Sequence, residues 1–367
     1  MKESKKIRLG ITQGDINGIG YEVILKALED SRMTELCTPV IYGSAKIAAF
    51  YRKSMDLQSV NLMQISSAAD AKEGECSIIN VEPEDTKVEP GQASKLSGQA
   101  AFIALERAVA DLRDEHIDVL VTAPINKDVI QSETFSFPGH TEYLEASIGD
   151  GCESLMMLCA EGLRVALVTT HTSIAKVPTS ISKEAVLAKL KIFDQSLRKD
   201  FAVVKPRIAV LSLNPHAGDN GLLGSEEQEI ISPAIMEAQQ EKILAFGPYA
   251  ADGFFGTEAY RKFDGVLAMY HDQGLAPFKA VAMDKGVNYT AGLNYVRTSP
   301  DHGTGFDIAG KGVASAESMR RAIYMAIDVY RNRACHRQAY RNPLRKQYFD
   351  KGKDNVVLDL TKDDDAD

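Results

Sequence analysis

Nine short apolar runs, set apart by helix-length amphipathic stretches, limit what this chain can fold into more than any other feature. The runs are KIRLGIT, TPVIYG, SIINV, IDVLVTAP, SLMMLCA, LRVALVTTH, RIAVLSLN, KILAFGP and GVLAMYH. Between them lie GYEVILKALED, AKIAAFYRKSM, GQAAFIALERAVADLRDE, SKEAVLAKLKIFDQSLRKD, EEQEIISPAIMEAQQ and SAESMRRAIYMAIDVYRNR, with apolar residues at three- and four-residue steps. That step is the period of a helix with one buried face. Strands that are apolar throughout need cover on both faces, and crossover helices between parallel strands supply it. The pattern predicts an α/β fold with a largely parallel sheet. One pair breaks the alternation: LMMLCAEGLRVALVTT reads as two strands turning at Glu161-Gly162, so part of the sheet is expected to be antiparallel.

A chain of 367 residues is long enough for two domains, at roughly 150 residues each. Net charge is −9, so there is no broad basic face and nucleic acid is not an expected partner. A small anionic substrate would need a local positive site against that background. The five cysteines, Cys37, Cys76, Cys152, Cys159 and Cys335, contain no C-x-x-C pair. An odd, unpatterned set points to reduced thiols in a cytoplasmic protein and away from a disulfide framework or a cysteine-rich zinc site. MKESKKIRLGI lacks the apolar core of a signal peptide, and no apolar run is long enough for a membrane span. The acidic tail, residues 346–367, is expected to be partly disordered.

In parallel α/β sheets ligands collect at the carboxyl ends of the strands, so the residues after each apolar run are the first candidates. IDVLV is followed by Thr122-Ala-Pro-Ile-Asn126-Lys127, VALVTT by His171-Thr172, IAVLSL by Asn214-Pro-His216-Ala-Gly-Asp219, and GVLAMY by His271-Asp272-Gln273-Gly274. Three of the seven histidines thus lie just past a predicted strand. One such histidine is ordinarily a capping or hydrogen-bonding residue. Three in equivalent places are the donor set of a divalent-metal site with an open position, zinc above all. SFPGHTEYLEASIG offers a second candidate: Pro138-Gly139 makes a turn, Thr141 caps a helix, and His140 and Thr141 at that helix start suit an anionic or hydroxyl group. Lys279, Lys285, Asn288 and Arg297 follow the third histidine closely; such groups recognise carboxylate or phosphate, although composition alone favours a solvated face.

Two glycine-rich stretches remain. GDINGIGYEVILKAL, from Gly14 to Leu28, follows the first strand, but its spacing is not that of the dinucleotide fingerprint. DHGTGFDIAGKG, from Asp301 to Gly312, resembles the adenosine loop of the isocitrate and isopropylmalate dehydrogenase superfamily. The first stretch then resembles that superfamily's G-D-G-I-G-P-E-V with an insertion. TAPINK, FPGHTEYL, HTSIAKVP, LNPHAGDNG, GPYAADGFF, YHDQGLAPFK, GVNYTAGL and RTSPDHGTGFDIAG stand in the order of the 4-hydroxythreonine-4-phosphate dehydrogenase (PdxA) family, over roughly residues 6 to 330. The chain departs from it at Ile16-Asn17, where Pro-Ala is usual, at Tyr21, where Pro is usual, and at Pro300.

The resemblance implies an isocitrate dehydrogenase-like fold: two α/β/α domains flanking a cleft, residues 1–128 with 290–345 forming one and 129–289 the other. It implies His171, His216 and His271 as ligands of one divalent ion, zinc, with magnesium or cobalt as alternatives. His140, Thr141, Lys279, Asn288 and Arg297 would hold the substrate. Gly14, Asp15, Gly18, Gly20, His302, Gly303 and Asp307 would hold NAD or NADP. A homodimer with the active site at the subunit interface is implied, so ligands can come from both chains. The implied reaction is oxidation of 4-phosphooxy-L-threonine at C3, then loss of CO₂ to give 3-amino-2-oxopropyl phosphate, in pyridoxal phosphate biosynthesis. Lys279 or a metal-bound water would be the base. Oxidation of 4-phospho-D-threonate or 4-phospho-D-erythronate is the alternative within the family, and a metal-dependent hydrolase the alternative outside it.

Overall fold

The computed structural model describes residues 6–57, 59–83 and 86–341; the tail at 346–367 lies outside the described residues. The strands are β1 (Ile7–Thr12), β2 (Cys37–Gly43), β3 (Leu62–Ile65), β4 (Cys76–Asn80), β5 (Val119–Thr122) and β6 (Leu155–Ala160), then β7 (Leu163–Leu167), β8 (Arg207–Leu211), β9 (Leu244–Tyr249), β10 (Gly265–Ala268), β11 (Val287–Ala291) and β12 (Arg297–Pro300). They form one sheet in the order β3-β4-β2-β1-β5-β12-β11-β6-β7-β10-β8-β9. The first six are mutually parallel, and so are the last four. Between the two sets β12–β11, β11–β6 and β6–β7 are all antiparallel. Three reversals make the two parallel sets run in opposite directions. The sheet passes unbroken from one half to the other, and the 289/290 boundary implied by the resemblance falls inside β11.

The α/β class expected from the sequence is the one observed, and all nine apolar runs contain strands, including the hairpin at Glu161-Gly162. β3, β11 and β12 were not anticipated. The reason is clearest in β11 and β12, whose alternate residues Asn288, Thr290, Arg297 and Ser299 are polar. Register places Asn288 opposite Ser299, and Thr290 opposite Met156. Because strand side chains alternate, all of these share one face of the sheet. The other face of β11 and its partner β6 carries Val287, Tyr289, Met157 and Cys159, all buried. Strands that are half core and half cavity lack the continuous apolar run used to find the others.

Buried alanines of the helix Lys95–Arg113 bring it close against β1, β2 and β5. The helix Glu317–Tyr340 packs its Met319, Ala322, Ile323 and Ala326 face across β12, β5 and β11. One polar pin ties this last helix to the middle of the chain. Arg333 Nε donates to Asp200 Oδ1 at 2.7 Å, its second terminal nitrogen lies 3.0 Å from the Tyr289 hydroxyl, and that hydroxyl donates to Asp200 Oδ2 at 2.7 Å. Arg333 is 3% exposed and Asp200 2%. A buried pair of this kind adds little net stability, yet removing one partner strands a charge. Arg333→Ala is therefore expected to lower the unfolding free energy by about 3–5 kcal/mol, read from urea titration; a loss below about 1 kcal/mol, the range of an exposed pair, would contradict the role of a pin.

Candidate active site

A cavity of about 240 Å³ opens over the face of the central antiparallel strands. Its floor is Met156 of β6, Asn288 of β11 and Arg297 and Ser299 of β12. The helix His271–Ala282 runs along one side and presents His271, Leu275 and Lys279, each four residues after the last and so on one helix face. The helix His140–Ile148 points its first turn, His140, Thr141 and Glu142, into another side. Lys127, His171, and Asp301 to Gly303 complete the rim. The five expected substrate residues thus meet in one place. Thr141 does so from the first helical turn, not from the cap: Gly139 occupies the cap position and no side chain caps the helix. The cavity lies on the face of the sheet at its change of direction, and residues that follow the carboxyl ends of β5, β7, β10 and β12 (Pro124, Ile125 and Lys127, then His171, His271 and Asp301) line it, as the strand-end rule expects.

Arg297 dominates its electrostatics. The side chain is 3% exposed. Its Nε and one terminal nitrogen donate to Thr122 Oγ1 at 3.0 and 2.6 Å, and the other terminal nitrogen lies 3.3 Å from Thr290 Oγ1. No carboxylate pairs with it among the described residues. Burial pushes its pKa down to about 9, against an upward pull from Glu142, which leaves the guanidinium charged at neutral pH. A buried, uncompensated cation is costly and calls for an anion.

Five buried polar atoms around the same cavity also lack partners: His140 Nε2, Glu142 Oε2, Asn288 Oδ1, Asp301 Oδ2 and His302 Nε2. Burial, reinforced by Arg297 and Lys127, holds His140 well below the usual histidine range, so it is neutral. His302 is also pushed down by burial, and its Nδ1 lies 3.0 Å from the Gly303 carbonyl. A carbonyl only accepts, so Nδ1 carries the proton and Nε2 is a bare acceptor. Burial raises Asp301, while Lys279, whose Nζ lies 3.7 Å away, draws it back. Unsatisfied buried groups are few in folded chains, and several around one cavity mark the place of a polar occupant; four of the five are acceptors, so that occupant must bring donors as well as the anion that Arg297 calls for.

The histidines divide. His171 Nδ1 lies 3.0 Å from Glu142 Oε1, and its Nε2 lies 3.0 Å from Lys127 Nζ. A carboxylate only accepts, so Nδ1 bears the proton and Nε2 accepts from the lysine. Burial raises Glu142, but the His171 hydrogen bond and a backbone amide outweigh it and hold the carboxylate below its usual range. His271 Nδ1 is fixed in the same way by Asp272 Oδ1 at 2.7 Å. Carboxylates that fix Nδ1–H and leave Nε2 as an acceptor are the usual support of metal-binding imidazoles, so this pair suits a divalent ion. The two ring centroids are 6.2 Å apart. His216 lines a neighbouring cavity of about 520 Å³ with Asn214, Asp252 and Asp272, on a loop where His216, Ala217, Gly218, Asp219 and Asn220 are all left-handed. Among the described residues no three potential ligands converge on one point. One chain brings together two of the three expected histidines.

Glu142 was not named from the sequence, and Lys127 was named only as the end of a strand-end segment. Lys127 closes the strand-end segment Thr122–Lys127, and Glu142 follows Thr141, but no spacing rule marks either as a partner of a histidine 44 or 29 residues on.

The opening stretch is a packed strand-to-helix turn. Gly14 has φ +69°, and a Cβ there would meet the Pro124 carbonyl at 2.4 Å. A Cβ at Gly18 would meet the Thr304 carbonyl at 2.7 Å, and one at Gly20 the Gln13 carbonyl at 2.2 Å. Asp15 is buried, accepting from the Asn17 amide and the Ser97 hydroxyl. The turn holds the second glycine loop, since the Ile19 amide donates to the Thr304 carbonyl at 2.8 Å. A Cβ on Gly303 meets nothing within 4 Å: this loop leaves open space where the first leaves none, and that space suits a cofactor running past His302 and Gly303. Asp307 is exposed further along it.

A family model described as "Pyridoxal phosphate biosynthetic protein PdxA" matches residues 35–326. The chain is 58% identical, over 99% of its length and 100% of the relative's, to a 4-hydroxythreonine-4-phosphate dehydrogenase of Bacteroides thetaiotaomicron. It is 38% identical, over 89% of its length and 98% of the relative's, to a protein of Oceanobacillus iheyensis described as a D-threonate 4-phosphate dehydrogenase. A solved 4-hydroxythreonine-4-phosphate dehydrogenase of Klebsiella pneumoniae superposes with a TM-score of 0.77 at 33% identity, covering 90% of this chain and 99% of that one.

If Arg297 is an anion site, inorganic phosphate should raise the melting temperature of the wild type. A ligand at a hundredfold excess over its Kd adds about 2.7 kcal/mol. Arg297→Met should remove that response in differential scanning fluorimetry; an equal response in the variant would place the anion elsewhere.

Proposed function

Because the chain belongs to the PdxA family of pyridoxal phosphate biosynthetic proteins, we propose that it is a nicotinamide-dependent dehydrogenase. Its substrate is 4-phosphooxy-L-threonine, and its product, after decarboxylation, is 3-amino-2-oxopropyl phosphate. The observation that carries this reading is the buried, unpaired Arg297 among five unpartnered polar atoms. When bound, NAD or NADP supplies the hydride acceptor and a divalent ion supplies a Lewis acid at the substrate oxygen. The chain does the rest. Arg297 takes the anionic end of the substrate, and neutral His140 and the Asn288 amide fix its polar groups. Leu275 and Met156 keep water off the reacting carbon. Lys279 accepts the hydroxyl proton as the C3 hydride leaves, with water as the alternative base. After the β-keto acid releases CO₂, the same lysine can return a proton to the carbon that lost it. His302, Gly303 and Asp307 run along the cofactor, while Gly14, Asp15, Gly18 and Gly20 act through the Ile19–Thr304 contact that holds the loop.

The same proposal takes the working form to be a homodimer in the cytoplasm. Its support is the separation of His216 from His171 and His271, which two copies sharing a site would resolve, and the five unbridged cysteines. No helix among the described residues is long and apolar enough to cross a membrane.

The deciding experiment is NAD reduction with 4-phosphooxy-L-threonine beside 4-phospho-D-threonate and 4-phospho-D-erythronate. The highest kcat/KM is expected with the first. The similarity to the D-threonate enzyme supports the second reading, and a highest kcat/KM with 4-phospho-D-threonate would establish it in place of the first. Arg297→Lys keeps the charge but loses the planar fork, so KM for substrate should rise at least tenfold. Gly303→Ala should fold normally and raise KM for the cofactor more than KM for the substrate. His216→Ala should stay folded yet lose bound metal and turnover. Chelation should reproduce this loss in the wild type, reversibly; full activity of exhaustively demetallated protein would remove the metal from the account.

A further inference from the structure

We propose that a cleft on the reverse face of the active-site strands is a regulatory site for a small phosphorylated heteroaromatic compound. The cleft, of about 440 Å³, lies behind β6 and β11, with Cys159 and Val287 as its floor. These residues pair directly, and Asn288, next to Val287, turns to the opposite face and lines the catalytic cavity. No residue of the cleft has a part in the proposed reaction.

The lining selects a chemistry. At one end stand Lys285 and Arg321. Lys285 has no hydrogen bond or ion pair among the described residues. Arg321 uses its Nε on Glu317 Oε1 at 2.7 Å, and among the described residues its terminal nitrogens make no hydrogen bond. Two cations with unspent donors suit a phosphate. The Arg164 Cζ sits over the Phe201 ring, 4.7 Å from its centroid, and a guanidinium in the lining is a group on which a planar ring can stack. Asp328 is seven residues beyond Arg321 on the same helix, about 10 Å along its axis at 1.5 Å per residue. A ligand that fills the cleft therefore has an anion for Lys285 and Arg321, a planar ring for the Arg164 guanidinium and a proton donor for the Asp328 carboxylate. A phosphorylated pyridinium has that layout, and a pocket of this size is ample for one.

The cleft is wired to the catalytic cavity by backbone. Gly286, next to Lys285, offers its carbonyl both to the Asp301 amide at 3.1 Å and to the Ser318 hydroxyl, and Ser318 Oγ also lies 3.1 Å from the Asp301 amide. Ser318 is one turn before Arg321. Drawing Lys285 and Arg321 together over a phosphate shifts both supports of Asp301, whose carboxylate faces Lys279 at 3.7 Å. Occupancy of the cleft thus changes turnover without touching substrate, a coupling between two sites.

The test is isothermal titration of the intact protein with pyridoxine 5′-phosphate, which lacks an aldehyde that would label surface lysines, beside inorganic phosphate and pyridoxine. Lys285→Ala and Asp328→Asn change exposed residues and should fold. The expected result is saturable binding, at least tenfold weaker in each of these variants, at least tenfold weaker for either fragment, and unchanged in Arg297→Met. Binding abolished by Arg297→Met but kept in Lys285→Ala would place the ligand in the catalytic cavity and overturn the proposal. Equal affinity for inorganic phosphate would reduce the cleft to a plain anion site and overturn its ring specificity. No binding would overturn it outright. Because heat of binding is read, none of these outcomes depends on the substrate assigned to the enzyme. With binding in hand, the ligand should lower kcat in the wild type and not in Lys285→Ala; an equal effect in both would break the link to Asp301.

Discussion

A guanidinium buried against the face of the sheet without a counter-ion is the constraint around which this molecule is arranged. Arg297 can be held there only because Thr122 and Thr290, on the two neighbouring strands, accept its donors. Those hydroxyls are in place because β12 runs parallel to β5 and antiparallel to β11. The change of strand direction in the middle of the sheet is therefore the scaffold of the charge. Hydroxyl partners satisfy the hydrogen bonds of a guanidinium without neutralising it, so the cavity keeps a positive potential in a chain whose net charge is −9.

Around that charge the neighbouring groups are kept from competing with an incoming anion. Glu142, the acidic residue that pulls on Arg297, is engaged by His171. Asp301 is turned toward Lys279. His140 is neutral, so it can accept or donate a hydrogen bond without adding a second buried charge. The two glycine loops divide the labour. The first is filled by its own backbone and fixes position, and the second keeps Gly303 open.

Much of this was legible in the sequence, and the limits have physical reasons. Continuous apolar runs exposed nine of the twelve described strands. β11 and β12 escaped because the residues that make them useful, Asn288 and Arg297 among them, interrupt their apolar pattern. The substrate residues came from the family resemblance, since composition alone left Lys279, Lys285, Asn288 and Arg297 as a solvated face; the fold brings Lys279, Asn288 and Arg297 to one cavity and turns Lys285 to the reverse face of the sheet. His171 and His271 were found from their places after strands; a periodicity argument cannot say that His216 faces a different cavity, since that depends on the left-handed loop carrying it. The glycines at 14, 18 and 20 carried the right signal, close approach, but the approaching group is the chain's own backbone. Lys127 and Glu142 act through pairings across the fold that no local pattern encodes.

The central claim is that the unpaired charge of Arg297 awaits the anion of a phosphorylated hydroxy acid. A crystal structure of the protein soaked with 4-phosphooxy-L-threonine tests it most directly. The account predicts an anionic oxygen of the ligand within hydrogen-bonding distance of the Arg297 guanidinium, with His140 Nε2 and Asn288 Oδ1 newly partnered by its polar groups. A ligand bound elsewhere, with Arg297 still held only by Thr122 and Thr290, would contradict it.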